Sequence, residues 1–296
     1  METEQIEIQL VLEAMQLRYG YDCSGYSRET IKRRIATTLS KTGPKGHPAR
    51  CERISDMIPK ILHDPEFFGS LVRNISITVT EMFRDASVYL KLREKVIPIL
   101  RTYPFINIWH AGCATGQEVY SMAIVLKEEG LYDRAQIYAT DINDDALSKA
   151  QEGIYPIDEI GLYARNYQQA GGRNSFADYY HAKYGYAKMD QSLKRNITFA
   201  NHNLVTDGVF AEMHLILCRN VFIYFDKALQ NRVLQLFTDS LCRSGFLCLG
   251  NSESISFSEV QQCFVEFSGA EKIYRMIALI AGSASEQILP AKVGLS

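Results

Sequence analysis

The first candidate chemistry lies between Ile106 and Asp141. A short apolar run, Ile106 to Ala111, is followed by Gly112 and Gly116 and then by a segment of helical spacing. A strand, a glycine turn and a helix let a bound cofactor approach the backbone closely. Taken alone, the same pattern describes any tight strand–helix connection. A second apolar run ends at Asp141, 25 residues after Gly116. An acid at the end of the neighbouring strand can accept from two ribose hydroxyls, because a carboxylate offers two oxygens. The turn reads Ala111-Gly112-Cys113-Ala114-Thr115-Gly116 rather than Gly-x-Gly-x-x-Gly, and the helix behind it opens with Glu118. A pyrophosphate beside that carboxylate is repelled. A cationic sulfonium with an amino-acid tail tolerates it, or uses it for the ammonium group. The constellation therefore favours S-adenosylmethionine over NAD.

Other residues extend the candidate site. Asn203 and Asp207 fall in a loop between strands, where they suit either an adenine edge or loop capping. The run His214 to Cys218 leads into Arg219 and Asn220, and the carboxyl end of a central strand is where ligands sit in such sheets. If the chain turns helically there, Asn220 and Tyr224 fall on one side. Thr80 and Arg84 share a face on the same condition. A guanidinium grips a carboxylate in a two-pronged way, so Arg84 is either a carboxylate clamp or half of a surface ion pair. His110 ends an apolar run and reads as a partly buried histidine. From Arg28 to Arg50 there are seven Lys or Arg residues and one acid, Glu29. That segment is either a solvated helix face or a docking face for an acidic or helical protein, with Arg28 and Lys32 on one side.

These residues need elements to hold them. The first 76 residues read as helical, through Ile6, Leu10, Ala14 and Leu17 and through Ile54, Met57, Ile58 and Ile61. Ser27 begins a second helix, Lys41 to Pro48 is a breaker-rich loop, and Leu71 to Asp85 is a connector. Asp85 is expected to cap a helix from Ala86 to Leu100, ending around Pro98. Strands and helices then alternate: Ile106–Ala111, Glu118–Glu129, Gln136–Thr140, Asp144–Glu152, His214–Cys218, Ala228–Leu241 and Gly245–Leu249. Alternation of this kind gives an α/β fold, a mostly parallel sheet with helices on both faces. Residues 155 to 200 break it and read as an inserted small sheet, with Phe176–Tyr180 and Gly185–Met189 as short antiparallel strands and Asn196–Ala200 at its end. The tail beyond Ala281 is expected to fray.

Composition excludes other classes. Net charge is -2, so nothing global points to nucleic acid. Seven cysteines and six histidines are scattered without a Cys-x-x-Cys pair, so neither a disulfide framework nor a metal site is expected. No apolar run reaches the ~18 residues of a membrane span, and the acidic first residues carry no signal-peptide stretch, which predicts a cytoplasmic protein without direct membrane insertion.

Five segments, in order, resemble the chemotaxis receptor methyltransferases of the CheR family: Thr80-Glu-Met-Phe-Arg84-Asp85, Gly112 to Ser121, Ala139-Thr-Asp141-Ile, Cys218-Arg-Asn220-Val-Phe-Ile-Tyr224-Phe225 and Gly250 to Ser254. The resemblance covers roughly residues 20 to 276. It implies a helical N-terminal domain (1–76), then a Rossmann-like methyltransferase domain (77–281) with an inserted antiparallel β-subdomain (about 155–200), leaving 282–296 as a flexible tail. It implies that Thr78, Thr80, Arg84, Glu118, Asp141, Asn203, Leu204, Arg219 and Asn220 join Gly112 in the cofactor site. Arg84 and Tyr224 would lie nearest the transferred methyl and the substrate carboxylate. Arg28, Lys32, Arg33 and Arg34 would face the helical cytoplasmic bundle of a chemoreceptor. The family often has Asn where this chain has Thr78. The β-subdomain is shorter around Tyr184 to Ser192 than in members that bind a receptor pentapeptide, and lacks their glycine-rich loop, so a tether-independent member is expected. The implied reaction forms glutamate methyl esters with S-adenosylhomocysteine as coproduct. The alternatives are a non-catalytic S-adenosylmethionine-binding scaffold and a methyltransferase of another substrate class.

Overall fold

The computed structural model describes residues 3–21, 23, 26–41, 51–75 and 80–277. The N-terminal helices are α1 (Thr3–Tyr19), α2 (Arg28–Lys41), α3 (Met57–His63) and α4 (Pro65–Ile75). Ser27 starts α2 as expected, its hydroxyl accepting from the Thr30 amide at 3.3 Å. In α1 the buried stripe is Val11, Ala14 and Met15, whereas Ile6, Leu10 and Leu17 are exposed. A helix that is apolar around most of its circumference offers several stripes, and packing against α3 chooses among them. Ile54, Met57 and Ile61 are buried as their spacing predicts. Helix α4 runs on through Leu71 to Ile75, so the connector starts later than expected. Residues 42–50 and the tail beyond Ala281 lie outside the described residues.

A continuous helical rod follows: α5 (Ala86–Lys91), a π turn (Leu92–Val96) and α6 (Ile97–Leu100). Pro98 removes an amide from the ladder, and the wider turn sits just before it. The α/β body contains β1 (Ile106–Ala111), α7 (Gln117–Glu128), β2 (Ala135–Asp141), α8 (Asp144–Glu152), β3 (Ile154–Pro156), α9 (Ile160–Gln169), β4 (Tyr180–Lys183), β5 (Tyr186–Met189), β6 (Ile197–Asn201), β7 (Met213–Cys218), α10 (Lys227–Ser240), β8 (Leu241–Leu249), β9 (Phe264–Ser268) and β10 (Ile273–Met276). The main sheet has the order β6-β2-β1-β7-β8-β10-β9. Its first five strands are parallel, and β10 and β9 pair antiparallel at the far edge. That closing hairpin is absent from the sequence reading, which has no strand beyond Leu249.

Two differences concern the insertion. The separate small sheet, β3-β5-β4, is real and antiparallel. Ile197–Asn201, however, belongs to the main sheet, running parallel to β2 from Ile137↔Ile197 to Asp141↔Asn201. Phe176–Tyr179 is a 3₁₀ turn started by Ser175, whose hydroxyl accepts from the Ala177 amide, and the strand begins only at Tyr180. Phe176 and Tyr179 are both buried, a placement that strand alternation would not allow for residues three apart.

The two faces of the main sheet carry separate cores. Helices α5, α7 and α9 and the small sheet cover one, and α10 covers the other. A third core lies within the N-terminal helices. It reaches Tyr26 and, from the end of β2, Ile142. The carboxyl ends of β1, β2 and β7 therefore open beneath the N-terminal helices.

Candidate active site

The glycine turn is built by steric necessity. Gly112 and Cys113 donate their amides to the Thr140 carbonyl at 2.8 and 2.9 Å, folding the turn back onto β2. Gly112 has φ +79°, and a Cβ there would sit 2.7 Å from Val221 Cγ2; Gly116 has φ +90°, with a Cβ 2.8 Å from that of Ala150. The Tyr155 hydroxyl on β3 donates to the Thr115 carbonyl at 2.7 Å, pinning the turn from the small sheet. Asp141 accepts from the Ala114 amide at 2.8 Å and the Asn143 amide at 2.9 Å, one on each oxygen. Burial raises its carboxyl above the ordinary range, and these backbone donors oppose the rise.

Glu118 is not a free acceptor. One oxygen meets His110 Nδ1 at 2.9 Å and the other Arg219 Nη1 at 3.0 Å. Burial works against its charge, but His110 and Arg219 outweigh it and hold the carboxyl below its usual range. Each oxygen thus holds one internal partner and keeps a second lone pair facing the cleft, where the ammonium role suggested by sequence alone would need it. His110 is fully buried rather than partly so, and its role is this hydrogen bond. Arg219 also reaches Asp85 at 2.6 Å and the Arg84 carbonyl at 3.2 Å, and lies over the Tyr89 ring at 6.0 Å. The Asp85 side chain accordingly does not cap α5. The residue adopts φ +56°; its carbonyl accepts from the Val88 amide at 2.8 Å, but its side chain makes no cap hydrogen bond and turns to Arg219 instead. The stretch before it is not helical, so Thr80 and Arg84 share a cavity rather than a helix face. Ser121 completes the anchor by accepting from the Phe83 amide at 2.9 Å.

The Asn220 turn has its own support. Asn220 stands at φ +61°, and Phe222–Tyr224 is a short 3₁₀ turn, so the expected helical face between Asn220 and Tyr224 does not form. The buried Glu253 carboxylate accepts from the amides of Gly250 (2.6 Å), Asn220 (2.9 Å) and Ile223 (3.3 Å). Burial raises the Tyr224 phenol above its ordinary value; the cationic Arg34, Arg84 and Arg33, in that order, pull it back. The hydroxyl is thus a neutral donor in a field to which these guanidiniums contribute positive charge.

One cleft collects the candidates. Thr80, Arg84, Gly112, Glu118 and Asp141 line it, as do Asn203, Leu204, Arg219, Asn220 and Tyr224. Thr78 lies outside the described residues. The Arg84 side chain has no hydrogen-bond partner among the described residues. Asn203 and Asp207 separate: Asp207 accepts from the Asn203 amide at 2.9 Å and caps the loop, and only Asn203 reaches the cleft. The basic residues also divide. Lys32 pairs with Glu4 of α1 at 2.5 Å, and Arg28 lies beside it along the groove between α1 and α2. Arg33 and Arg34 instead approach Tyr224, and Arg34 Nε is buried without a partner among the described residues.

Sequence reasoning missed Glu81, His202, Tyr26 and Ile75 in the lining, and Glu253 behind it. Glu81 and Glu253 lie inside segments already singled out by motif. Tyr26 and Ile75 come from the helical region and carry no local signal. The cleft presents three carboxylates, Glu81, Glu118 and Asp141, against two guanidiniums, Arg84 and Arg219. That balance fits a cofactor of net positive charge, and each Asp141 oxygen, holding one backbone amide, keeps a second lone pair for a ribose hydroxyl.

Comparison with known proteins agrees with this geometry. A family model described as the S-adenosylmethionine-binding domain of CheR methyltransferases matches residues 78–272. The chain is 49% identical over 270 residues to a protein of Pseudomonas putida named as methyltransferase Cher3, covering 91% of this chain and 96% of that one. It is 34% identical over 226 residues to chemotaxis protein methyltransferase 1 of Vibrio cholerae, covering 73% and 80%. A chemotaxis protein methyltransferase of Borreliella burgdorferi is 29% identical over 262 residues, covering 84% and 88%. The matched span takes in the loop of Arg84, the glycine turn and the Asn220 turn together, and the chain belongs to the CheR family of S-adenosylmethionine-dependent methyltransferases.

Proposed function

We propose that this chain methylates glutamate side chains on the helical cytoplasmic bundle of a chemoreceptor, acting in the cytoplasm. The observation that carries the reading is that the Arg84 guanidinium, without a hydrogen-bond partner among the described residues, lines the cleft together with Tyr224, with Arg34 and Arg33 adding positive charge at that phenol. A neutral or cationic acceptor gains nothing from that field; a carboxylate is drawn to it. The names of the relatives, chemotaxis protein methyltransferases, support the same pathway.

S-adenosylmethionine supplies an electrophilic methyl group. A glutamate with an ordinary pKa of ~4.3 is already ionised at pH 7, so no residue is needed as a general base. The chain's own work is positioning and desolvation. Arg84 holds the incoming carboxylate, Tyr224 donates a hydrogen bond that sets its angle, and Asp141, Asn203, Leu204, Asn220 and Gly112 hold the cofactor. Glu118 and Arg219 fix one another and the loop of Arg84. Oriented reactants can lower a barrier by ~7–11 kcal/mol. The same reading divides the chain into a helical docking region (1–76, with Arg28, Lys32, Arg33 and Arg34 towards the receptor) and a catalytic region (77–281). Tyr184-Gly185 joins β4 and β5 in a two-residue turn, which supports operation without a receptor tether.

The test is transfer of labelled methyl from S-adenosylmethionine to receptor cytoplasmic fragments, giving a base-labile ester. Losing a charge-assisted clamp of ~3 kcal/mol predicts roughly a hundredfold drop in kcat/KM for Arg84→Ala, and a smaller drop for Tyr224→Phe. Full activity in both variants, or an ester-free product, refutes the assignment.

A further inference from the structure

Tyr26 belongs to the helical region by sequence but to the cofactor cleft by position. Residues 26 and 27 lie directly on the Asn220 turn. Tyr26 forms an antiparallel bridge with Phe225, their rings meet edge to face at 5.3 Å, and the Ser27 amide donates to the Tyr224 carbonyl at 2.8 Å. This seats the Tyr26 ring in the wall of the cleft that Asp141 also lines. Burial, then the proximity of Cys23 and of the Asp141 carboxylate, keeps the phenol protonated. Its hydroxyl has no hydrogen-bond partner among the described residues. Two further residues tie the halves together: Ile75, at the end of α4, lines the cleft, and Ile142, next to Asp141, packs into the core of the N-terminal helices.

We propose that Tyr26 is a cofactor-binding residue, its ring forming a wall of the S-adenosylmethionine site and its hydroxyl donating at the Asp141 end. A phenol near an ionised acid competes for the same lone pairs as a ribose hydroxyl, or shares the ribose oxygens with it; either way it senses an occupied site. The helical region is then part of the cofactor site as well as a platform beside it. Because Tyr26 leads directly into α2, cofactor occupancy restrains the helix that carries Arg33 and Arg34.

The test uses the full chain and S-adenosylhomocysteine as the probe. Titration calorimetry compares the parent, Tyr26→Phe and Tyr26→Ala, and amide hydrogen exchange is followed in α2 of the parent with and without the probe. Loss of an aromatic wall predicts about tenfold weaker binding for Tyr26→Ala, and loss of one hydroxyl about threefold for Tyr26→Phe. Exchange in α2 slows on binding. Affinity of Tyr26→Ala within twofold of the parent, or unchanged exchange in α2, overturns the proposal. If Tyr26→Ala does not fold, Tyr26→Phe, which keeps the ring, and the exchange experiment decide it. A parent chain that fails to bind the probe overturns it together with the cofactor assignment. None of these readouts depends on which substrate accepts the methyl group.

Discussion

Replacing Arg219 by methionine tests the electrostatic frame of the site. The side chain is 1% exposed and lies between Glu118, at 3.0 Å and 17% exposed, and Asp85, at 2.6 Å and 28% exposed. Arg219→Met keeps most of the volume but leaves two partly buried carboxylates without their shared cation. Breaking a buried pair by removing one partner costs ~3–5 kcal/mol, and the partial exposure of the two acids puts this case near 3. For a chain of this size that is a fall in Tm of about 6–12 °C by calorimetry. The pH dependence has a fixed sign. Glu118 is held below its ordinary range when folded, so its stabilisation is present above the unfolded pKa and lost as pH falls through the folded one. In the variant Glu118 loses a cation while burial still raises its carboxyl, so it takes up a proton at higher pH than in the parent. The stability gap is therefore full at pH 7 and narrows on acidification, between the variant's raised pKa and the parent's lowered one. Arg219→Lys, charged but without the two-pronged fork, recovers only part of the loss. A gap under 1 kcal/mol at pH 7, or one that does not shrink on acidification, refutes the reasoning.

Other perturbations follow from the same geometry. Glu253→Ala strips the acceptor from the Gly250, Asn220 and Ile223 amides, and urea unfolding should show a loss of ~2–3 kcal/mol together with weaker S-adenosylhomocysteine binding. Asp141→Asn should weaken that binding about 10- to 100-fold at pH 7, since hydrogen bonds to a charged acceptor contribute ~1.5–3 kcal/mol. Because burial raises the Asp141 carboxyl, parent affinity should fall as pH drops into that raised range, and titrations of Asp141→Asn should show no such fall. Gly116→Ala combines φ +90° with a Cβ 2.8 Å from that of Ala150, and a Tm decrease equivalent to ~1–3 kcal/mol is expected.

The parts of the fold legible in sequence were those with strong periods and tight spacing. Helix Asp144–Glu152 and strand Ile106–Ala111 have the bounds that capping and apolar runs predict. The segments that failed were governed by partners distant in the chain. Asp85 looked like a helix cap because it precedes a helix, and only the fold reveals Arg219 as its partner. Ile197–Asn201 looked like the end of the insertion because it follows it in order, yet its pairing partner is β2. Among site residues, Asp141 and Gly112 were legible because the strand–turn–helix unit places them locally. Tyr26 was not, since nothing near it in sequence says that it will lie against Phe225.

Tyr155 gives the insertion an uneven character. At its root the small sheet is tied to the glycine turn through the Tyr155 hydroxyl, with Ala187 and Met189 buried beside it. At its tip Tyr184 is 85% exposed and Tyr186 55% exposed. Tolerance to change should therefore be graded along about four residues of strand: near-invariant demands at the root, free drift at the tip. An appendage anchored this way can be lengthened, trimmed or re-surfaced at its outer end while the cofactor pocket beneath keeps its shape.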